Sequence, residues 1–263
     1  MLSYTFRATR LARFLSAGDK SYAAVVRLGI STDTGDADGT PVGSAFAGPF
    51  PSRDAIDGAL DAFRGTFLQQ PPVFSAKKIG GRRSHRLARR RSLDRLESDS
   101  SPTSLPAPVT VTVHRLEIVD VEADRVTLTV DCSAGFYVRS LAHDLGQRLG
   151  TGAHLERLRR TRSGDCTLAG AIDLATAERD RDRVHTSVIP LSQMLPGLSS
   201  VILTGEGVRH AVQGRDLAPH DAVSRVGNWE SGYLRMMDPA GELIGIAEPA
   251  DAPGLLHPLV VLI

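Results

Sequence analysis

Arg139 and His143 stand four residues apart in "CSAGFYVRSLAHDLG" (132–146), on a different helical face from Val138, Leu141, Ala142, Leu145 and Leu149. A guanidinium fork can hold a carboxylate or phosphate by two parallel hydrogen bonds, which an ammonium cannot match. Arg157, Arg159, Arg160 and Arg162 follow in "ERLRRTRSG". Upstream, Lys77, Lys78, Arg82, Arg83, Arg86, Arg89, Arg90, Arg91 and Arg95 face a single acid, Asp94, between residues 77 and 95. Cations clustered in this way suit a polyanion, although the upstream run alone reads equally well as a solvated helix face.

The totals conceal this clustering. The formal net charge of the 263 residues is only +1, and residues 196–263 hold four Arg against eight acids. Cys132 and Cys166 are the only cysteines, which fits a reducing, cytoplasmic setting and argues against a disulfide framework. No CxxC, HExxH or histidine cluster occurs, so no metal site is expected. No apolar run approaches the roughly 18–20 residues that span a bilayer, and "MLSYTFRATR" has no apolar export core. A soluble globular chain without a membrane role is the expectation.

The elements that must position these groups follow from pattern. "ATRLARFLSAG" predicts a helix through Leu11, Ala12 and Leu15 that stops at Gly18. "KSYAAVVRLG" predicts a strand, followed by the turn-rich loop "STDTGDADGT". Residues 53–68 predict a helix with Ile56, Leu60 and Phe63 inward. "QQPPVFSAKKIGG" is extended because of its prolines, "RRSHRLARRRSLDRL" predicts a basic helix, and "ESDSSPTSLPAP" a surface loop. "VTVTVHRLEIVDV" and "RVTLTVDCS" alternate on either side of "EAD" and predict a hairpin. Residues 138–149 form an amphipathic helix, and 170–195 a further helix and link. From about 200, "SVILTGEGVRHAVQGRDL", "SGYLRMMDPAGELIGIAEP" and "LHPLVVLI" predict short strands broken by Gly and Pro, a small β-rich domain.

Taken in order, "DKSYAAVVRLGISTDTGDADG" (19–39), "QQPPVFSAKKIGGRRSHRLARR" (69–90), "CSAGFYVRSLAHDLG" (132–146) and "GAHLERLRRTRSG" (152–164) resemble the tRNA pseudouridine synthase B (TruB) family. The C-terminal strands resemble its PUA-like domain, so the resemblance runs over nearly the whole chain. It implies an α+β fold: a mixed, largely antiparallel sheet flanked by helices in a synthase domain of residues 1–195, and a PUA-like domain of residues 200–263. It implies an isomerase that converts uridine 55 of the tRNA T-loop to pseudouridine without a cofactor, acting as a monomer on the T-arm. In that chemistry a carboxylate attacks the sugar or takes a proton from it, and the flipped uracil is rejoined through C5. By resemblance Tyr22 stacks on the flipped base, Arg139 pairs with the catalytic carboxylate, and Tyr137 and Leu158 line the uracil pocket. Lys77, Lys78, Arg82, Arg83 and Arg86 belong to the segment that grips the T-arm. Read without the resemblance, Tyr22 is an ordinary half-buried strand residue and Leu158 a core residue.

One block of the family pattern has no counterpart. The family's nucleophile lies in a "GHTGTLDP"-type loop, and the 263 residues contain no such loop. Asp33, Asp36 and Asp38 belong to an acidic loop that family members carry in addition, Asp94 falls in the basic run, and Asp173 in "IDLAT" follows "RTRSG". Phe74 and His85 replace aromatic residues usual at their positions, and the loop at 91–106 is longer than usual. Two readings stay open: an enzyme whose gene start has been assigned too late, and a tRNA-binding protein on the same fold that modifies nothing. The coding frame upstream of Met1 distinguishes them. In either case Arg139 is expected to lean on another acid or to open to solvent.

Overall fold

The computed structural model describes residues 6–72, 78–79, 82–83, 106–226 and 232–263. It divides into two compact units, Asp19–Ser163 and Met1–Gly18 with Gly164–Ile263.

The Asp19–Ser163 unit is built on β1 (Lys20–Leu28), which pairs antiparallel with β8 (Arg125–Cys132) on one side and β9 (Ala153–Ser163) on the other. Beyond β8 come β7 (Val109–Glu122) and β4 (Gly65–Gln69), giving the order β9-β1-β8-β7-β4. The β7–β8 hairpin closes at the expected turn, with Ala123 in the left-handed region at φ 51°. Alternation along β1 sends Ala24, Val26 and Leu28 into the core with Val126, Leu128 and Val130 of β8. Two helices cover that face. From α2 (Arg53–Leu60) come Ile56 and Leu60, and from α3 (Val138–Leu149) come Leu141, Ala142 and Leu145. These are the apolar positions the sequence pattern predicts.

Three expectations change here. The helix predicted over 53–68 ends at Leu60, makes one tight turn over Asp61–Phe63, and gives way to β4. Gly65 at φ 77° turns the chain out of helix, and its successors pair with β7 from Gly65↔Val113 to Gln69↔Val109. The acidic loop contains a small hairpin of β2 (Ser31–Thr32) and β3 (Pro41–Val42). The basic helix predicted from residue 82 does not begin there: β5 (Lys78–Ile79) and β6 (Arg82–Arg83) pair antiparallel, Lys78 with Arg83 and Ile79 with Arg82. The rest of that run, 84–95, lies outside the described residues.

In the other unit, β10 (Cys166–Thr167) is followed by two short helices, α4 (Leu174–Arg179) and α5 (Arg181–Ser187), capped by the side chains of Asp173 and Asp180. The C-terminal sheet has the order β12-β11-β13-β14-β15, with β11 (Ser200–Leu203), β12 (Ala222–Val226), β13 (Leu234–Met237), β14 (Leu243–Pro249) and β15 (Leu256–Val261). "GEGVRHAV", expected as broken strand, is instead helix α6 (Gly205–Val212). Thr204 caps it by accepting from the Gly207 amide, and Val208 and Ala211 pack with Val201, Leu203 and Leu217. The predicted N-terminal helix, α1 (Ala12–Ala17), also belongs to this unit. Leu11, Phe14 and Leu15 pack with Ile246, Val260 and Leu262.

Candidate nucleic-acid site

Gln69, at the end of β4, starts the site. Its buried amide donates from Nε2 to the Tyr137 carbonyl at 3.0 Å and accepts from the Tyr137 amide at 2.8 Å. Ser140 Oγ donates to the Gln70 carbonyl at 2.7 Å. The first turn of α3 is thereby tied to the "QQPP" stretch, and Arg139 is held in that first turn.

The Arg139 guanidinium reaches the acidic loop. Its Nη1 donates to the Thr34 carbonyl at 3.2 Å and to Asp36 Oδ2 at 3.1 Å, with both side chains about 30% exposed. Asp36 is itself fixed: Thr34 Oγ1 donates to its Oδ1 at 2.6 Å, and Thr32 Oγ1 donates to its carbonyl at 2.7 Å. Backbone bonds clamp the loop to β9 on both sides of Asp36, from the Ala37 amide to the Leu155 carbonyl and from the Leu155 amide to the Gly35 carbonyl, each 3.0 Å. Gly35 sits at φ 76°, where a side chain would be strained, and a Cβ on Gly39 would lie 2.3 Å from Thr34 Oγ1. Of the two expectations for Arg139, it leans on another acid. Asp33 instead closes the loop by accepting from the Thr40 amide at 2.8 Å.

On the sheet, Tyr22 packs against the core from the same face as Ala24. Its partner across β9 is Arg160, whose guanidinium carbon lies 5.6 Å from the Tyr22 ring centre. Ala24 pairs with Leu158, which is 48% exposed rather than a core residue. A phenol ring, an exposed aliphatic side chain and a cation therefore share one sheet face, the face against which α3 packs. Lys20 follows the same alternation. Burial and the nearby Arg160 charge lower its pKa below the usual lysine value. Tyr137 is half-buried at the N-cap of α3. Among the T-arm residues expected, Lys78, Arg82 and Arg83 lie on the β5–β6 pair, while Lys77 and Arg86 fall outside the described residues.

Sequence reading named Arg160 only as one of a cluster of cations, and did not single out Lys20, Gln69 or the link from Arg139 to Asp36. Arg160 and Lys20 had a signal, since period-2 counting along "DKSYAA" puts Lys20 beside Tyr22. The Asp36 contact had none, because it depends on how a loop folds onto α3.

Comparisons with known proteins give the family and the fold. Residues 3–138 match the N-terminal domain of TruB family pseudouridylate synthases, and residues 139–195 match the tRNA pseudouridylate synthase B C-terminal domain. A tRNA pseudouridine synthase B of Solibacter usitatus is 37% identical over 258 residues, covering 97% of this chain and 83% of that protein. One from Pseudomonas aeruginosa is 37% identical over 253 residues, covering 93% and 76%. Two solved structures share the fold. A chain of a Cbf5-Nop10-Gar1 complex gives a TM-score of 0.64 at 24% identity, over 92% of this chain and 63% of that one. A chain of an H/ACA RNP bound to a substrate RNA containing 2'-deoxyuridine gives 0.66 at 21% identity, over 98% and 70%. The family models and the relatives place the chain among the pseudouridine synthases. The chain belongs to the TruB family.

Proposed function

We propose that this chain carries the substrate-holding part of a tRNA pseudouridine(55) synthase, a cytoplasmic isomerase acting on the T-arm, with residues 200–263 as its PUA-like domain. The observation that carries this reading is the grouping of Tyr22, Leu158 and Arg160 on one sheet face, with Leu158 and Arg160 exposed. An unstacked base needs an aromatic or aliphatic surface on its flat side and a cation for its phosphate. Tyr22 supplies the ring, Leu158 and Tyr137 the apolar wall, and Arg160 the charge.

In this reading Arg139 orients the carboxylate that attacks the ribose or removes its proton. The nucleophile-bearing Gly-His-Thr-Gly loop of the family does not occur among the 263 residues, and Asp36 already engages Arg139. Those two facts support a second reading, in which these residues bind tRNA and isomerise nothing. One experiment tests what the two readings share, tRNA binding by these 263 residues. The 263-residue protein is incubated with an unmodified T-arm stem-loop, and binding and pseudouridine content are both measured. Salt-sensitive binding without pseudouridine is the expected outcome. Turnover would transfer the catalytic role to an acid of this chain, with Asp36→Asn as the first variant to examine. Absence of binding would refute both readings.

A further inference from the structure

The arginines of β9 do not form one patch. Without irregularity, Arg160 and Arg162 would share a sheet face. They do not, because β9 is shifted twice against β1, between Ser21 and Tyr22 and between Val25 and Val26. The first shift passes over Thr161, so that Ser21 pairs with Arg162 while Tyr22 pairs with Arg160. The second passes over Glu156, so that Val25 pairs with Arg157 while Val26 pairs with the buried Leu155. Such bulges re-aim side chains. Leu158 and Arg160 thus face the Tyr22 side. Arg157, Arg159 and Arg162 face the other side, with Ser21, Ala23 and Val25. The Arg162 Nε donor to Ser21 Oγ, at 3.0 Å, confirms which face that arginine takes.

This outer face has the features of a backbone-binding surface. Arg157 is 80% exposed, with Glu156 4.0 Å away as its nearest acid, and Glu156 itself is held by Arg125 Nε at 2.9 Å. Arg159 is exposed. The two arginines lie two residues apart on an extended strand, about 6.7 Å along it. Beside them run the small side chains of Ala23 and Val25, then Thr127 and Thr129 of β8, with Asp131 at one end. Across β1 and β8 that is a strip about 10 Å wide where a phosphate chain can approach without meeting bulk. The other exposed cations of this face are matched: Arg27 donates to Asp124 at 2.8 Å, and Arg115 to Glu117 at 2.6 Å.

We infer that Arg157 and Arg159 form a second RNA contact, on the face of the sheet opposite Tyr22, which takes phosphates of the tRNA body outside the T-arm. The inference rests on the function proposed above, since it requires a tRNA already anchored at the Tyr22 face. Charge complementarity and the flat strip identify the occupant as a nucleic-acid backbone.

The test measures affinity across a salt series for two probes, an unmodified T-arm stem-loop and a whole unmodified tRNA. In the parent protein the plot of log K against log salt is expected to be steeper for the whole tRNA. In the Arg157→Ala/Arg159→Ala variant the whole-tRNA slope should shrink by about 1.8, two contacts at about 0.9 each, while the stem-loop slope stays unchanged. Arg160→Ala should weaken both probes. Both arginines of the pair are exposed, so an unchanged melting temperature is expected and is checked first. An unchanged whole-tRNA slope in the pair variant, or equal losses on both probes, would overturn the outer contact while leaving the proposed function standing. If the parent binds neither RNA, the proposed function fails and this inference fails with it.

Discussion

Asp144 lies on α3 one residue after His143, half-buried, and desolvation raises its carboxyl pKa above the ordinary aspartate value despite the nearby His143 and Arg148 charges. A carboxyl whose pKa is raised by folding favours the folded state only while protonated. Its contribution is present at low pH and is lost as pH climbs through the folded-state value. At neutral pH the ionised Asp144 therefore costs stability. Asp144→Asn should raise the melting temperature at pH 7, and that advantage should shrink as the pH falls through the raised folded-state value and be gone below about 4, the ordinary aspartate pKa. A variant no more stable than the parent at pH 7 would refute the desolvation account. Arg139 is the contrasting case. Its charge is compensated by Asp36, so its position in the first turn of α3 does not leave a bare cation in a half-buried site.

Helix α3 shows how an element delivers such residues. It must lie close to β9, and Gly146 makes that possible: a Cβ there would fall 2.2 Å from the Ala153 amide nitrogen and 2.5 Å from the Gly152 carbonyl carbon. Both are backbone atoms and cannot swing aside. Gly146→Ala should destabilise the protein by about 3 kcal/mol, through overpacking that outweighs the helix propensity of alanine. Thermal unfolding of the variant checks this, and a change below about 1 kcal/mol would mean that α3 can slide on the sheet. The stripe of Val138, Leu141, Ala142 and Leu145 was legible from spacing alone, as was the alternation of β1, β7 and β8, because one buried face imposes one period. Helix α6 was not legible. "GEGVRHAV" has two glycines and only two buried positions, so the cap at Thr204 and the packing of α6 outweigh its weak propensity. The split of the β9 arginines was hidden for a related reason. Period-2 counting fails wherever a bulge adds a residue, and β9 has two. At the site, Tyr22, Arg139 and Leu158 were readable through resemblance, whereas Arg160, Lys20 and Asp36 needed the register and the loop.

At the scale of the whole molecule, charge is distributed so that RNA affinity should come from one part of the chain. Residues 77–91 and 157–162 carry clustered cations, whereas residues 196–263 hold four Arg against eight acids. Some of those four are already engaged. Arg209 pairs with Glu206 at 2.9 Å, and Arg235 Nη1 lies 3.4 Å from the Ser192 and Met194 carbonyls. Each phosphate neutralised contributes a slope of about 0.9 for duplex or about 0.7 for single strands in log K against log salt. Replacing Arg82, Arg83 and Arg86 together by Ala should therefore flatten the slope by about 2 to 3 and weaken every tRNA alike, since phosphate contacts carry no sequence information. Replacing Arg209 and Arg215 by Ala should leave the slope within error of the parent. Binding isotherms from about 50 to 200 mM salt on two tRNAs of different sequence decide the matter. A larger loss from the Arg209/Arg215 pair would move the electrostatic footprint into the C-terminal unit. A loss confined to one of the two tRNAs would mean that the basic run reads bases rather than backbone.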